Sequence, residues 1–211
     1  RKSLEEFFIM WTHQIKLPIS ALNTYIDSND EINKVVLKGQ IKKIQQYSDM
    51  VMAYIRLESE KSDLLFEEHD LDEIIKFVIK EFKLDFINKK LSLNFQPTGL
   101  KVRTDKKWFT FALEQILSNA VKYTKVGGVS IAHEGMKLVI KDTGIGIKEA
   151  DLPRIFDKGY TGYNGRINSE ASGLGLFLVK RTLDKLNHEI SIESKLNEGT
   201  KVGIILTKKE D

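Results

Sequence analysis

Leu37, Ile41, Ile44, Ser48, Val51 and Ile55 follow one another at alternating steps of four and three. That alternation is the heptad of a helix with a sustained apolar seam, one member of which is polar. Upstream, Phe8, Trp11, Ile15, Ile19, Leu22 and Ile26 recur at similar steps and make a second one-sided stripe. Between the two, Asp27-Ser28-Asn29-Asp30 breaks the first helix and offers N-caps for the next. Two striped helices joined by a short turn form an antiparallel hairpin, which cannot enclose a core alone. The seams therefore predict a partner, most simply a second copy forming a four-helix bundle. Docking of the hairpin onto the rest of its own chain is the weaker alternative, because the seam is long and continuous.

From about residue 61 the texture changes. Short β-like runs at 64–66, 91–95, 129–132, 137–141, 189–193 and 201–206 alternate with helical patterns near 71–88, 106–123 and 174–187. Gly127-Gly128, Glu134-Gly135 and Asn197-Glu198-Gly199 mark turns between strands. Sequential pairing through such turns predicts an α+β fold: a helical hairpin over 1–60, then an α/β sandwich over 61–211, not a doubly wound parallel sheet. Pro153, Gly159, Gly162 and Gly165 interrupt a polar stretch at 152–172, which reads as a long mobile loop of the kind that carries function.

Composition narrows the function. With 211 residues, 41% of them hydrophobic, the chain is long enough for one large domain or two small ones with a buried core. The absence of cysteine excludes a disulfide framework and a thiolate zinc site. A net charge of +3, without a basic run interleaved with aromatics, points away from nucleic acid. No apolar run approaches the roughly 20 residues that span a bilayer. The chain opens at Arg1, already in helical register and without an initiator methionine, and so reads as a fragment of a longer parent.

Three segments carry chemistry. In the helix at 106–123, Phe109, Ala112, Leu113, Ile116 and Ala120 form the apolar face, while Asn119, Lys122 and Tyr123 project beside it. An amide oxygen suits a hard cation such as Mg²⁺, an ammonium suits phosphate, and an aromatic ring suits a base. Next, Lys141-Asp142-Thr143-Gly144-Ile145-Gly146 follows a strand. Its glycines let backbone approach a ligand, and Asp142 offers an acceptor for an exocyclic amine. Last, Ser172-Gly173-Leu174-Gly175-Leu176 feeds a helix N-terminus, a ready anion site. Taken singly, each is as well explained by a helix end or a plain turn.

Their order resembles the sensor histidine kinases of two-component systems. His13 on its hairpin is similar to that family's H box, the Asn119 helix to the N box, Asp142-x-Gly-x-Gly to G1, Gly173-Leu-Gly-Leu to G2, and Ile155-Phe156 to the F box. The resemblance spans the whole chain. It implies a dimeric four-helix bundle followed by an ATP-binding domain of the histidine kinase and Hsp90-like type. It also implies ATP and Mg²⁺ as cofactors, with nucleotide contacts from Asn119, Lys122, Tyr123, Asp142, Gly144, Gly146, Phe156, Gly173, Leu174, Gly175 and Leu176. Asn119 would hold Mg²⁺, with Gln115 as a second amide, and His13 would be the phosphoacceptor, assisted by Gln14 and Lys122. The partner would be the receiver domain of a response regulator. Trp-x-His-Gln-Ile-Lys-x-Pro-Ile and Lys-Gly-Tyr-Thr-Gly-x-Asn-Gly-Arg further resemble the bacitracin-sensor subgroup. That subgroup implies a parent anchored in the bacterial membrane, a cytoplasmic position for this segment, an antimicrobial-peptide stimulus and an ABC-transporter partner.

At roughly 100° per residue, His13 lies about 160° from Ile15 and about 200° from Trp11. It faces away from the stripe, as an imidazole that meets ATP must. Pro18, five residues on, removes the helical partner of the Gln14 carbonyl and predicts a bend. Gln14 departs from the acidic residue usual after the histidine, and an amide can orient an imidazole but cannot take its proton. Leu17 stands where Thr or Asn is frequent, which implies weak phosphatase activity. Two rivals share part of this pattern: an ATPase of the chaperone or mismatch-repair kind, and a nucleotide-binding dimeric scaffold without kinase activity.

Overall fold

The computed structural model describes residues 2–28, 33–59, 64–163 and 172–206. The two striped segments are helices α1 (Lys2–Ser28) and α2 (Lys34–Glu58). Phe7 stacks on Tyr54 at 3.8 Å, and Trp11 Nε1 donates to the Tyr47 carbonyl at 2.6 Å, so the helices run antiparallel. α1 passes through Pro18 without interruption. The cap of α2 is Asn33, whose side chain accepts from the Val35 N–H, and not the Asp27–Asp30 stretch, of which Asn29 and Asp30 lie outside the described residues.

The hairpin buries a different face from the one its stripes suggest. Phe7, Gln14 and Pro18 on α1 are buried, as are Met50, Ala53, Tyr54 and Leu57 on α2. Tyr54 in turn meets Phe177 at 6.4 Å, which joins the hairpin to the second unit. The expectation that docking within the chain is the weaker alternative is therefore corrected. Each helix carries two apolar faces, one used inside the chain, while Ile19, Ile26, Ile41 and Ile55 of the predicted seams stay exposed.

The second unit begins after residues 60–63, which lie outside the described set. The run 64–66 is not a strand: the Leu65 N–H donates to the Asp105 carboxylate instead of a ladder. A polar strand β1 (Glu67–Asp70) follows and pairs antiparallel with β3 (Lys101–Thr104). Neither announces itself, because both are four residues long, β1 is wholly polar and β3 holds a single apolar residue, Val102. The main sheet has the order β2-β4-β5-β7-β6, with β2 at Ser92–Phe95, β4 at Gly128–Glu134 and β5 at Lys137–Asp142. Strands β6 (Glu189–Lys195) and β7 (Gly199–Ile205) close it. The pairs joined by tight turns are antiparallel as expected, whereas β2 and β4 are parallel because β3 and a helix intervene between them.

Helices α3 (Leu71–Lys89), α4 (Lys106–Tyr123) and α5 (Gly175–Lys185) form the layer over this sheet. Asp70 caps α3 and Asp105 caps α4. Leu71, Ile74, Phe109, Ile116, Leu178 and Leu183 meet Leu138 and Ile204 in one apolar core. The stretch 152–172 is more structured than a bare loop. A 3-10 helix covers Glu149–Arg154, and Asp151 accepts from Tyr160 Oη at 2.6 Å and from the Tyr163 N–H at 2.9 Å. Residues 164–171, with Gly165, are outside the described set.

Candidate functional site

A cleft of about 570 Å³ opens between the C-terminal half of α4, the end of β5 and the chain entering α5. The buried face of α4 is the predicted one, which rotates Asn119, Lys122 and Tyr123 to its rim, half-buried. Gln115, one turn before Asn119, is buried and also lines the cleft. Burial raises the Tyr123 phenol above its ordinary pKa.

Asp142 ends β5 with its side chain buried in the cleft wall. Its Oδ1 accepts from the Gly144 N–H at 2.8 Å and the Thr200 N–H at 3.2 Å. Burial raises its carboxyl above the usual range, and these two bonds work against that rise. Both bonds fall on one oxygen, so Oδ2 is the acceptor left to read a ligand. Gly146 has φ 67 and packs so closely on Lys195 that a Cβ would strike its carbonyl. Gly173, at φ 65, is pressed in the same way against the backbone of Gly159 and Tyr160.

Not every predicted residue reaches the cleft. Gly173, Gly175 and Leu176 line it, but the Leu174 side chain is fully buried in the core. Phe156 packs against that core, and Gly144 lies behind Asp142, where its N–H fixes the carboxylate. His13 is exposed on α1, as its place on the helical wheel requires, and stands outside the cleft. Gln14 does not orient it: Gln14 is buried, and its Oε1 accepts from Tyr47 Oη at 3.2 Å.

Sequence reading missed two parts of the wall. The Thr200 N–H reaches Asp142 from the neighbouring strand β7, which pairs with β5, a contact that only sheet topology creates. α2 contributes Lys42, Lys43, Gln46 and Tyr47, which no local signal marks because they depend on how the hairpin docks. Among the described residues no helix is long and apolar enough to cross a membrane.

The geometry can be set against known proteins. Residues 104–210 match the family described as histidine kinase-, DNA gyrase B- and HSP90-like ATPase. The chain belongs to this family. Its relatives place it with sensor histidine kinases of the BceS-like subgroup. Sensor histidine kinase YxdK of Bacillus subtilis (strain 168) is 35% identical over 91% of this chain and 61% of its own length. Sensor protein BceS of Halalkalibacterium halodurans is 32% identical over 96% of this chain and 62% of its own. The chain thus spans about three fifths of the length of the curated relatives it matches. Two solved structures share the fold. Histidine kinase ThkA, solved in complex with response regulator protein TrrA, has a TM-score of 0.66 at 19% identity, covering 97% of this chain and 62% of its own. Acinetobacter baumannii histidine kinase AdeS has a TM-score of 0.62 at 23% identity, covering 93% of this chain and 98% of its own.

Proposed function

We propose that the chain is the phosphotransfer and ATP-binding part of a sensor histidine kinase, which phosphorylates His13 from ATP. The observation that carries this reading is the presence, in one chain, of a solvent-facing histidine on a helical hairpin and a cleft built from Asn119, Lys122, Asp142 and Gly173. In that cleft the adenine amine donates to Asp142, and Lys122 meets the phosphates. Mg²⁺ fits the amide oxygens of Asn119 and Gln115 as a hard cation, and its charge would offset that of the phosphates. Among the described residues no cluster of three or more His, Cys, Asp or Glu side chains is set to hold a metal, so such an ion would rely on amides and phosphate.

A neutral ring nitrogen of His13 forms a bond to the γ-phosphorus as the bond to the bridging oxygen breaks, and ADP leaves. Positioning and charge neutralisation supply most of the rate in such an in-line transfer. The phosphoryl group then passes to a carboxylate oxygen of an aspartate on a response regulator, and the imidazole is restored. Residues 1–60 would serve dimerisation and phosphotransfer, and 61–211 ATP binding. The parent is placed in the bacterial cell membrane with this part in the cytoplasm, answering antimicrobial peptides beside an ABC transporter. That last assignment rests on the subgroup resemblance.

Incubation with γ-labelled ATP and Mg²⁺ tests the reading. The expected result is acid-labile protein-bound phosphate that disappears in His13→Gln. Nucleotide binding without label transfer would identify the dimeric scaffold, and release of free phosphate without labelled protein would identify an ATPase.

A further inference from the structure

We propose that the outward face of α3 is a peripheral attachment site for an anionic lipid surface, entered by Phe77, Leu84 and Ile87 and held by Lys76, Lys80 and Lys83. The inference does not depend on the reading of the cleft as an ATP site.

α3 turns one apolar face to the core, where Leu71, Ile74, Ile75, Val78, Phe82 and Phe86 are buried. Three further large apolar side chains stand on the opposite face, with Phe77 at 52%, Leu84 at 63% and Ile87 at 58% exposure. At about 100° per residue they fall within a sector of about 80°, and at about 1.5 Å per residue they span about 15 Å of helix. A single exposed apolar residue needs no explanation, whereas three aligned on one helix make a patch.

The neighbours of this ridge decide what covers it. One flank is closed by α2, where Lys42 Nζ donates to Asp85 Oδ2 at 2.6 Å and to the Glu81 carbonyl at 2.7 Å. The other flank carries Lys76 and Lys83, while Lys80 stands inside the sector, between Leu84 and Ile87 on the helical wheel. Two acids are near. Glu73, at the N-terminal end, is met by Lys76 at 3.7 Å, and Glu81 lies on the α2 side, close enough to act on Glu114. Lys80 and Lys83 are exposed and enter no ion pair among the described residues. The ridge is therefore apolar at its crest and basic along its open flank.

That combination matches a lipid surface better than a protein. A protein that covered the crest would take the Lys80 ammonium out of water, a cost that only a well-placed carboxylate offsets. On an anionic bilayer the Lys80 stem runs beside Leu84 and Ile87 while its ammonium stays among the headgroup phosphates. A helix lying in the membrane plane inserts such apolar side chains at the headgroup boundary, and each nearby lysine adds attraction to anionic lipid. None of Phe77, Lys80, Lys83, Leu84 and Ile87 lines the cleft, so attachment leaves it open.

Cosedimentation of the 211-residue chain with vesicles of phosphatidylcholine, and with vesicles that also carry phosphatidylserine, tests the proposal. Binding is expected on the phosphatidylserine vesicles and not on phosphatidylcholine alone, and it should weaken as salt rises. Phe77→Ser combined with Leu84→Ser should lower the partition coefficient about tenfold, and Lys80→Gln or Lys83→Gln roughly fivefold each. All these variants should keep the melting temperature and ATP affinity of the unaltered chain. Absence of binding to phosphatidylserine vesicles, or equal binding by the Phe77→Ser, Leu84→Ser variant or by the lysine variants, would overturn the proposal. So would a change from dimer to monomer in the Phe77→Ser, Leu84→Ser variant without lipid, which would identify the ridge as an interface between copies of the chain.

Discussion

Both hydrogen bonds that hold Asp142 reach the same carboxylate oxygen, from the N–H groups of Gly144 and Thr200. The second oxygen is thereby aimed, and a substitution can change it alone. Asp142→Asn preserves shape and can keep its amide oxygen on the two backbone donors. The group facing the ligand then becomes a donor, set against the exocyclic amine it should accept from. An unmade hydrogen bond of this kind costs about 1–3 kcal/mol, so ATP affinity should fall roughly tenfold to a hundredfold. Titration with ATP checks this, and the melting temperature should barely move. Asp142, which lines the cleft, was singled out in the sequence only by the order of its segment among the others, since Asp-x-Gly-x-Gly alone reads as a plain turn. The place of Gln14 was not legible, since its burial and its bond to Tyr47 depend on which way α1 turns toward α2.

At the scale of elements, helices were the more legible part. α3, α4 and α5 lie close to their expected spans because apolar periodicity is a local signal. Strands β1 and β3 escaped because four-residue runs with at most one apolar member pair only when the chain brings them together. The same non-local logic creates a charged junction that no segment announces. Glu114 on α4 meets Asp49 and Lys42 from α2 and Glu81 from α3, with Lys107 beside Asp49. Burial, then the nearby Asp49 and Glu81, push the Glu114 carboxyl up to about 7, partly offset by Lys42. The folded chain therefore holds a proton that the unfolded chain has lost. This contribution to stability is full below the ordinary value of 4.5 and is lost as pH rises through about 7. Urea midpoints measured between about pH 5 and about pH 8 should fall with rising pH, and Glu114→Gln should flatten that slope.

For the whole molecule, the decisive fact is that the hairpin has two occupied or occupiable faces. One docks on the ATP-binding unit through Phe7, Tyr54 and Phe177 and through the Lys42–Asp85 and Arg181–Glu58 pairs. The other keeps Ile19 at 42%, Ile26 at 48%, Ile41 at 53% and Ile55 at 44% exposure along one hairpin. Covering such half-exposed side chains contributes on the order of 1 kcal/mol each, and a symmetric partner doubles the set. That is the scale on which a four-helix bundle would be held, and it leaves the ATP cleft untouched. Ile41→Glu combined with Ile55→Glu places carboxylates in the seam, where pairing would bury them without partners. In sedimentation the double variant should run as a monomer while still binding ATP, because neither side chain lines the cleft. Its labelling at His13 then locates the transfer step. His13 stands outside the cleft of its own docked chain, so loss of labelling in the monomer assigns the ATP to the opposite protomer. Retained labelling would instead require the ATP-binding unit to leave its docked position and swing to the histidine of the same chain.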